Sequence, residues 1–485
     1  MKVTLINVQI CEANNLVPPL GILALGAALE QGGHQVQLID DDIFIRDFTR
    51  DIADFTPDLV GLSFLTPAFS RAKHLIPRLR QLLPRTRFCS GGFHSSVFPD
   101  HTLRALGIDF CVIGEGEETL LEVCRHLQEA RDITSINGIC FLNSDGTATT
   151  TSPRNLIAEL DSLPLPAYHL LQFEKYLRPP GLFRGMAMDR ITALATSRGC
   201  PFYCTYCGGR KMFAGRVRFR SIESIRAELD HLVTQHRIRG VWIIDECFTL
   251  DAPRSREIAD ALRESGLAWG MQTRVDLLTE EMVHYFKQCG CLEINFGVES
   301  GVDRVLGFLK KGTTTAAALT AFSWCRSAGV RTTANFMIGT PTETEHDVME
   351  TFRFSKKLKA SYTVFHITMP LPGTELYEYA LAHNLMKQPE EFDDRWMHRA
   401  SKGPLITTQI PPGQLMSMRA RFQNHFFLRN NLTWGNICYC IKILRGALRT
   451  PVILTHSLHA FWRHKRLDSF FETLVAYSYR TSSRP

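Results

Sequence analysis

Three cysteines, Cys200, Cys204 and Cys207, are spaced CxxxCxxC within one short segment. Cysteine thiolates bind the irons of iron–sulfur clusters, and a cubane cluster contains four irons. A loop with three cysteines leaves one iron without a protein ligand, so that iron is open to a substrate or a cofactor. The spacing therefore predicts a catalytic 4Fe-4S cluster.

Zinc and inert buried thiols are the alternatives to a cluster. A structural zinc site needs four closed ligands, commonly supplied by two CxxC pairs. No second CxxC follows the cysteine segment, and the later close pairs, Cys289/Cys291 and Cys438/Cys440, have the tighter CxC spacing. The sequence therefore favours the cluster over both alternatives.

The amino-terminal third alternates short apolar strands with helical patterns, from a strand at 3–8 to a helix at 117–127. This rhythm predicts an α/β domain with a parallel, doubly wound (Rossmann-like) sheet, whose ligands bind beyond the carboxyl ends of the strands. The loops at that edge include paired glycines, which let the backbone approach a large flat ligand. The loop residues expected to contact such a ligand are Ser63, Thr66, Gly91, Gly92, His94, Gly114, Glu115 and Gly116.

A second α/β series follows a polar hairpin at 139–153 and a proline-punctuated crossing at 160–166. Six strands and their helices between Ile191 and Met369 predict an open, partial (β/α)6 barrel of the TIM type. Among these elements are helices at 222–236 and 345–358 and strands at 268–273 and 331–338, and in the first domain a helix at 20–31. The expected organisation is a sheet domain at 1–150, a linker at 151–190, a barrel at 191–380 and a mainly helical cap at 381–485.

Polar and small residues stand at the carboxyl ends of the barrel strands, where the chemistry of a TIM-type barrel gathers. Carboxylates and amides there accept hydrogen bonds from hydroxyl and ammonium groups, and the planar fork of Arg274 pairs with a carboxylate. Each alone could merely satisfy neighbouring backbone, but their coincidence with the cysteine loop favours a shared site. The set comprises Asp245, Glu246, Arg274, Glu299, Ser300, Asn335, Met337 and Gly339.

The segment from Ser197 to Cys207, with an aromatic residue just before its last cysteine, resembles the signature of the radical S-adenosylmethionine (SAM) enzymes. In that family the open iron chelates SAM, and electron transfer cleaves the sulfonium to a 5′-deoxyadenosyl radical. The glycine-containing loops ahead of this signature resemble the cobalamin-binding domain of cobalamin-dependent radical SAM enzymes. The turn at 370–374 resembles the PxPGT turn of the same family. The resemblance covers about residues 1–379 and implies a 4Fe-4S cluster, SAM and cobalamin as cofactors.

The resemblance also implies roles for individual residues. Tyr206 is expected beside the adenine of SAM, Glu246 and Glu299 near its ribose or amine, and 337–339 along the adenine edge. The DxHxxG motif that supplies a histidine to cobalt in the methionine synthase type is missing, because residues 11–15 read Cys-Glu-Ala-Asn-Asn. His94 is either a ligand at this site or a packing histidine.

The length and composition of the chain indicate the number of domains and the cellular compartment to expect. The 485 residues are enough for two or three domains, and the 14 cysteines are scattered with no secretory leader ahead of them, so we expect a reducing cytoplasm. No apolar stretch approaches the roughly 18 residues that a membrane span needs. The net charge of +6 arises from a basic, aromatic carboxy-terminal segment. That segment is expected to cap the barrel, with peripheral membrane contact as the alternative and nucleic acid not expected.

These observations predict a cobalamin-dependent radical SAM C-methyltransferase that acts on an unactivated carbon of a biosynthetic intermediate. The expected partners are a small-molecule or lipid-like substrate and an electron donor such as flavodoxin or ferredoxin. One alternative is a cobalamin-dependent oxidative cyclase or rearrangement enzyme on the same scaffold. The other is a non-catalytic metal-binding protein, which would not cleave SAM.

Overall fold

A computed structural model of the chain describes residues 1–9, 17–41, 47–177, 183, 188–387, 392, 405–431 and 458. These residues form two largely parallel β-sheets that carry helices, with a short two-stranded ribbon and an extended linker between them. The expected α/β architecture, a doubly wound sheet followed by an open barrel, is confirmed.

The first sheet has the strand order β2-β1-β3-β4-β5-β6-β7. Its first five strands in sequence run parallel, and the last two form an antiparallel hairpin at one edge. The strands are β1 (Lys2–Asn7), β2 (Gln35–Asp40), β3 (Leu59–Ser63), β4 (Arg87–Gly91), β5 (Phe110–Val112), β6 (Ile139–Leu142) and β7 (Ala148–Thr150). Because the order reverses between β1 and β3, a ligand crevice is expected at the carboxyl ends of these strands.

Six helices accompany this sheet. They are α1 (Leu20–Gln31), α2 (Thr49–Phe55), α3 (Phe69–Leu82), α4 (Gly92–Val97), α5 (Pro99–Leu106) and α6 (Glu117–Gln128). Helix α1 starts directly after Pro19 and ends before Gly32 and Gly33. The φ angle of Gly33 is +80°, a left-handed conformation that commonly terminates a helix at glycine.

The second sheet has the order β15-β14-β13-β12-β11-β8, with every pair parallel and the strands in sequence order. Its strands are β8 (Ile191–Leu194), β11 (Gly240–Ile243), β12 (Ala268–Thr273), β13 (Cys291–Glu299), β14 (Arg331–Ile338) and β15 (Tyr362–Ile367). Between β8 and β11 lies the antiparallel ribbon of β9 (Ser197–Arg198) and β10 (Arg218–Phe219). Since β8 and β15 do not pair with each other, the barrel is open.

The barrel helices begin with side-chain caps that match their sequence. The Ser221 side chain accepts a hydrogen bond from the Ser224 amide at the start of α8, and Thr344 and Asp347 form a capping box at the start of α13. The helices are α7 (Gly209–Phe213), α8 (Ile222–His236), α9 (Ala252–Glu264), α10 (Glu280–Gln288), α11 (Asp303–Phe308), α12 (Thr315–Ser327), α13 (Glu345–Leu358) and α14 (Glu375–Ala382).

The linker packs the two sheets into one core. Tyr168 is fully buried, belongs to the same apolar cluster as Leu23 of α1, and donates a hydrogen bond to Glu228 of α8 over 2.5 Å. Tyr176 donates to Asp40 at the end of β2. The linker therefore fixes the position of the barrel relative to the first sheet.

The helix α15 (Pro412–Asn431) closes the open side of the barrel along β15. The Phe365 amide donates to Gln423 over 3.1 Å, and the Arg419 Nε donates to the Phe365 carbonyl over 3.0 Å. Gln423 also donates to the Thr363 carbonyl over 3.4 Å. An edge strand presents unpaired backbone groups, and these two buried side chains replace the hydrogen bonds that another strand would make.

Five predicted elements, α1, α8, β12, α13 and β14, begin and end at the expected residues. The structure adds α4 and α5, which were not predicted because each is short and they meet at Phe98 and Pro99. Residues 10–16 of the first predicted loop and most of the basic carboxy-terminal segment lie outside the described residues. None of the helices in the described ranges has the length and apolarity needed to span a bilayer.

We predict that Gln423→Leu lowers the free energy of unfolding by about 1 to 3 kcal/mol, because it leaves the buried Phe365 amide without a partner while keeping side-chain volume similar. Anaerobic urea unfolding measures the change. Ser417→Ala on an exposed position of the same helix is the control and should change stability by less than about 0.5 kcal/mol. Equal effects of the two substitutions would contradict the edge-capping role.

Candidate functional site

The cysteine segment forms a loop between β9 and α7 that is held by backbone hydrogen bonds on two sides. The Thr205 amide donates to the Leu309 carbonyl over 3.0 Å, and the Leu376 amide donates to the Thr205 carbonyl over 2.8 Å. Leu309 directly follows α11, and Leu376 lies in the first turn of α14. The loop is therefore fixed between two helices of the barrel.

The Asp245 carboxylate binds the two residues that lead into the cysteine loop, Thr196 and Ser197. It is buried, and its carboxylate accepts hydrogen bonds from the Thr196 amide and hydroxyl, each over 2.6 Å, and from the Ser197 hydroxyl over 2.5 Å. Burial raises the pKa of Asp245, with these hydrogen bonds acting in the opposite direction. Its nearest polar partners are thus groups of the protein itself.

Gly199 sets the backbone path into the cysteines. Its φ angle is +102°, and a Cβ atom there would lie 2.0 Å from the carbonyl oxygen of Arg216, so only glycine fits. The Gly199 amide donates to Glu246 over 3.2 Å. Glu246 therefore stands directly beside the loop, as expected for a residue of the same site.

The three thiols have the chemistry that a cluster requires. Burial raises the pKa of Cys200 to about 11 and also raises that of Cys207, and a bound metal cation favours the thiolate form that ligates it. In the described part of the chain, no three acidic, histidine or cysteine side chains are close enough to share one metal ion. A cubane asks for a different arrangement, because each thiolate binds a separate iron. The donor set fits a 4Fe-4S cluster.

Tyr206, Glu299 and Lys311 form one hydrogen-bonded group at the carboxyl end of the barrel. The Tyr206 hydroxyl donates to Glu299 Oε1 over 2.9 Å, and Lys311 Nζ lies 3.0 Å from the same oxygen and 3.2 Å from the hydroxyl. Burial alone would lower the pKa of Lys311, but the Glu299 carboxylate outweighs it and raises the pKa. Burial and Glu299 raise the pKa of Tyr206 well above its usual value, so the phenol keeps its proton.

The backbone at Glu299 is held in an uncommon conformation. Its φ angle is +64°, and the register of β13 against β14 shifts between Gly297 and Glu299. A Cβ atom at Gly297 would lie 2.3 Å from Glu299 Oε1 and 2.9 Å from Lys311 Nζ. Strained backbone of this kind persists where neighbours fix it and is concentrated at functional sites. Glycine here leaves room for the ion pair.

Each of the three guanidinium nitrogens of Arg274 donates a hydrogen bond to another group of the protein. Its guanidinium donates to both oxygens of Asp276, over 3.0 and 2.8 Å, and to the Lys311 carbonyl over 2.6 Å. Its carbon Cζ lies 3.7 Å from the centre of the Phe202 ring, which belongs to the cysteine loop. Arg274 therefore links the end of β12 to that loop.

The remaining residues predicted for SAM lie along neighbouring strand ends. Ser300 is buried and shares a hydrogen bond with the Thr351 hydroxyl over 3.2 Å. Asn335 donates to the side chain of Asn295, so two amides lie together on the inner side of β13 and β14. Met337 is 9% exposed at the end of β14.

The turn at Gly339 is closed by a carboxylate that the sequence did not single out. Glu343 accepts hydrogen bonds from the Gly339 amide over 2.7 Å and from the Thr340 amide over 2.9 Å. Its other oxygen, Oε1, has no partner among the described residues. Burial raises the pKa of Glu343 to about 7.

A cavity of about 380 Å³ lies between the carboxyl edge of the first sheet and the two elements that flank the cysteine loop, β9 and α7. The glycines at 21 and 114 border it, and nothing lies within 4 Å of where a Cβ atom would be at either position. The cavity is thus floored partly by bare backbone, which suits a large flat ligand such as cobalamin. Its lining includes Ser63, Gly91, Gly92, Gly114, Glu115 and Gly116 from the predicted set, and Arg198, Met212, Phe213 and Glu246 from the barrel.

His94 and Thr66 do not line this cavity. The His94 Nδ1 and the Thr66 hydroxyl share a hydrogen bond over 3.1 Å, and the imidazole is buried among aromatic rings that include Phe69 and Phe392. Burial and the neighbouring His101 lower the pKa of His94 to about 3, so the ring is neutral. The structure therefore separates these two residues from the other six.

An ion-pair network joins the loop after β5 and the start of α6 to the β9–β10 ribbon that flanks the cysteine loop. Arg198 donates to Glu115 over 3.0 Å and to Glu117 over 2.7 Å, while Arg218 donates to Glu115 over 2.7 Å. The Ile157 amide adds a hydrogen bond to Glu115 over 2.9 Å. Burial alone would raise the pKa of Glu115, but the hydrogen bonds from Arg218, Ile157 and Arg198 hold it below its usual value. We call these five residues the interdomain network.

Sequence reasoning missed Lys311, Glu343, Arg198 and Arg218. Glu343 follows Gly339 by four residues, and this short spacing after a predicted strand was a usable signal. Lys311 and the two arginines carried none, because their partners lie far away in the chain. Only the fold brings these charges together.

Two family models match the chain: the radical SAM superfamily over residues 194–355 and the B12 binding domain over residues 6–124. The uncharacterized methyltransferase PH0819 of Pyrococcus horikoshii is 34% identical over 375 residues, which cover 76% of this chain and 80% of that protein. The cytidylyl-2-hydroxyethylphosphonate methyltransferase of Streptomyces wedmorensis is 26% identical, over 85% of this chain and 86% of that protein.

A solved structure has the same fold. The radical S-adenosylmethionine methyltransferase TsrM of Kitasatospora setae, with cobalamin and a [4Fe-4S] cluster bound, superimposes with a TM-score of 0.66 at 20% sequence identity. The alignment covers 88% of this chain and 82% of TsrM. The order of the two sheets and the linker is therefore a shared architecture.

We predict that Glu115→Gln lowers the free energy of unfolding by about 3 to 5 kcal/mol, since it leaves two guanidinium groups side by side with too little negative charge. Anaerobic denaturant unfolding checks this. The control is Glu118→Gln in the first turn of α6, where the carboxylate is about half exposed and a change below about 1 kcal/mol is expected. A small effect at Glu115 would show that the network does not stabilise the interface.

We predict that Glu343 makes the protein less stable as the pH rises. Its folded pKa of about 7 exceeds the ordinary value of 4.5, so the fold favours the protonated form, and this contribution is lost as the pH rises through about 7. The stability of Glu343→Gln relative to the native chain should therefore increase between pH 5 and pH 8, as measured by urea unfolding. Glu345→Gln, at an exposed position, should show no such trend, and a flat difference for Glu343→Gln would refute the assignment.

Proposed function

The chain belongs to the radical SAM enzymes that carry a cobalamin-binding domain, and we propose that it is a C-methyltransferase acting on an unactivated carbon of a small biosynthetic intermediate. Its cofactors are a 4Fe-4S cluster, SAM and cobalamin. The observation that carries the proposal is the shared cavity, which borders the glycine-containing loops of the first sheet and, from the barrel, Glu246 and the two elements that flank the cysteine loop, β9 and α7. Methyl delivery and hydrogen abstraction can thus take place at one site.

The bound cofactors supply the redox and methyl chemistry, with SAM as both the source of the radical and the methyl donor. The chain's own residues bind and orient them. Cys200, Cys204 and Cys207 are the cluster ligands. We assign SAM to the strand ends beside them, where Tyr206, Glu299 and the amides near Asn335 offer donors and acceptors within one group.

Other residues of that set act through the groups they hold. Asp245 supports the start of the cysteine loop, Arg274 fixes Phe202 and the Lys311 carbonyl, and Ser300 braces the turn after β13. Glu246 is different, since it reaches the cavity and is free to accept from an amine or a ribose hydroxyl. Glu343 keeps the turn at Gly339 closed, so that the backbone after Met337 can border the adenine.

Cobalamin is assigned to the cavity, with the backbone of the glycine-containing loops against it. The neutral His94, which lies in the aromatic core, keeps Thr66 and the start of α3 in place rather than binding cobalt. The substrate is a small molecule, and a one-electron donor such as flavodoxin or ferredoxin completes the system. A mainly helical cap at 381–485 remains our expectation for the carboxy-terminal segment.

We predict that the reconstituted enzyme transfers the intact methyl group of SAM. The chain is loaded anaerobically with iron, sulfide and hydroxocobalamin to about four irons, then incubated with deuteromethyl-SAM, dithionite and a metabolite extract of a strain that lacks this chain. Mass spectrometry should reveal a metabolite that carries all deuterons of the methyl group, with deoxyadenosine and S-adenosylhomocysteine in equal amounts. Cys204→Ala, which lacks one cluster ligand, is the control and should form neither.

The other outcomes of this experiment are equally informative. Deoxyadenosine together with a new product that lacks deuterium would indicate that the enzyme catalyses cyclisation or rearrangement instead of methylation. Zinc in place of iron, or iron without SAM cleavage, would return the chain to a non-catalytic metal protein.

A further inference from the structure

The segment that contains the cysteine loop and continues through α7 and β10 has an unusual charge. Residues 199–222 contain five basic side chains and no acidic one. Two of the five are neutralised internally, because Arg218 pairs with Glu115 and Arg220 pairs with Glu228. The other three are Arg210, Lys211 and Arg216, and all three are exposed.

These three cations have no acidic partner in the part of the chain that the structure describes. Arg210 instead lies over the ring of Tyr203, with Cζ 3.8 Å from the ring centre. Tyr203 is 50% exposed, so much of its side chain is open to solvent beside the arginine. We call Tyr203, Arg210, Lys211 and Arg216 the basic patch.

The patch faces away from the cofactor cavity. Met212 and Phe213 of α7 line that cavity, whereas Arg210 and Lys211 of the same short helix are exposed to solvent. Tyr203 directly precedes the cluster ligand Cys204, and Arg210 follows the ligand Cys207 by three residues. A protein bound to the patch would therefore lie next to the cluster without entering the SAM and cobalamin sites.

We infer that the basic patch is the docking surface for the acidic electron-donor protein that reduces the cluster. This inference rests on the proposed function, because it assumes that the cluster must be reduced to cleave SAM. In each encounter the donor's reduced flavin or iron–sulfur centre loses one electron and the cluster gains it. Complementary charge steers such short-lived encounters, while an exposed arginine and tyrosine supply the contact that is typical of an interface.

Position on the molecule favours this partner over other anionic ones. A nucleic acid or an anionic membrane has no reason to bind at the loop that carries the cluster ligands, whereas electron transfer requires the donor to approach there. Three charges on one small surface also suit a weak, salt-sensitive complex rather than a permanent one.

The test compares two reductants for the loaded enzyme. Deoxyadenosine formation from SAM is measured with flavodoxin and its NADPH-dependent reductase, and separately with dithionite. The variant Lys211→Glu/Arg216→Glu should lower the flavodoxin-driven rate at least about ten-fold at low donor concentration, yet keep the dithionite-driven rate. The native rate with flavodoxin should fall as the salt concentration rises. The milder variant Lys211→Gln/Arg216→Gln should have a flavodoxin-driven rate between that of the native chain and that of Lys211→Glu/Arg216→Glu.

Arg85→Glu/Lys357→Glu is the matched control. Both positions are exposed. Arg85 lies just before β4 and Lys357 lies in the last turn of α13, so both are at the amino ends of the strands, on the side away from the cysteine loop. This variant changes net charge equally and should keep the native rate with either reductant. An equal loss in control and patch variants would reduce the effect to net charge and overturn the inference.

Three further results would overturn it. The patch variant could keep the native rate with flavodoxin, or lose the dithionite-driven rate as well, which would place these cations in the fold or the cofactor site. Binding of the native chain to phosphatidylglycerol vesicles, lost in a patch variant that keeps its flavodoxin rate, would assign the surface to a membrane. A native enzyme that forms no deoxyadenosine even with dithionite would instead refute the proposed function, so the two failures are distinguishable.

Discussion

The arrangement of this molecule depends on how Glu115, together with Glu117, neutralises two neighbouring arginines. Arg198 and Arg218 are paired residues of the antiparallel β9–β10 ribbon, so their like charges lie side by side. Such a pair is destabilising on its own. Glu115, from the loop after β5 of the other sheet, accepts hydrogen bonds from both. The ribbon that leads into and out of the cysteine loop therefore depends on the loop after β5 for its charge balance.

This dependence has a functional consequence. Burying an ion pair removes two charges from water, and the cost is recovered only when the geometry is good and the remaining hydrogen bonds are satisfied. Glu115 meets that condition with a third donor, the Ile157 amide of the linker. Three parts of the chain, the first sheet, the linker and the ribbon, thus converge on one residue at the rim of the cavity. These hydrogen bonds hold the ribbon at the rim of the cavity.

The parts of the fold that local pattern determines were predictable. Apolar periodicity located α1, α8 and α13 at their observed ends, and CxxxCxxC identified the cluster because its meaning depends on spacing alone. Interactions between distant residues were not. Glu299 was expected at the site, but its left-handed backbone and its pairing with Lys311 depend on a register shift that no local pattern encodes. His94 illustrates the converse, because a polar residue in a functional loop turned out to lie in an aromatic core.

The basic side chains around the cysteine loop are of two kinds, those that pair with a carboxylate and those that do not. Basic side chains whose partners come from elsewhere in the fold, Arg198, Arg218 and Lys311, are buried or nearly so and serve geometry. Basic side chains of the same region that the fold leaves without a carboxylate are on the surface. A folded chain gains nothing in stability from isolated surface cations that sit close together, because like charges repel. Arg210, Lys211 and Arg216 lie in and just after α7, beside the cysteine loop, and we attribute their concentration there to recognition of a partner, since intramolecular stability gives no reason for it.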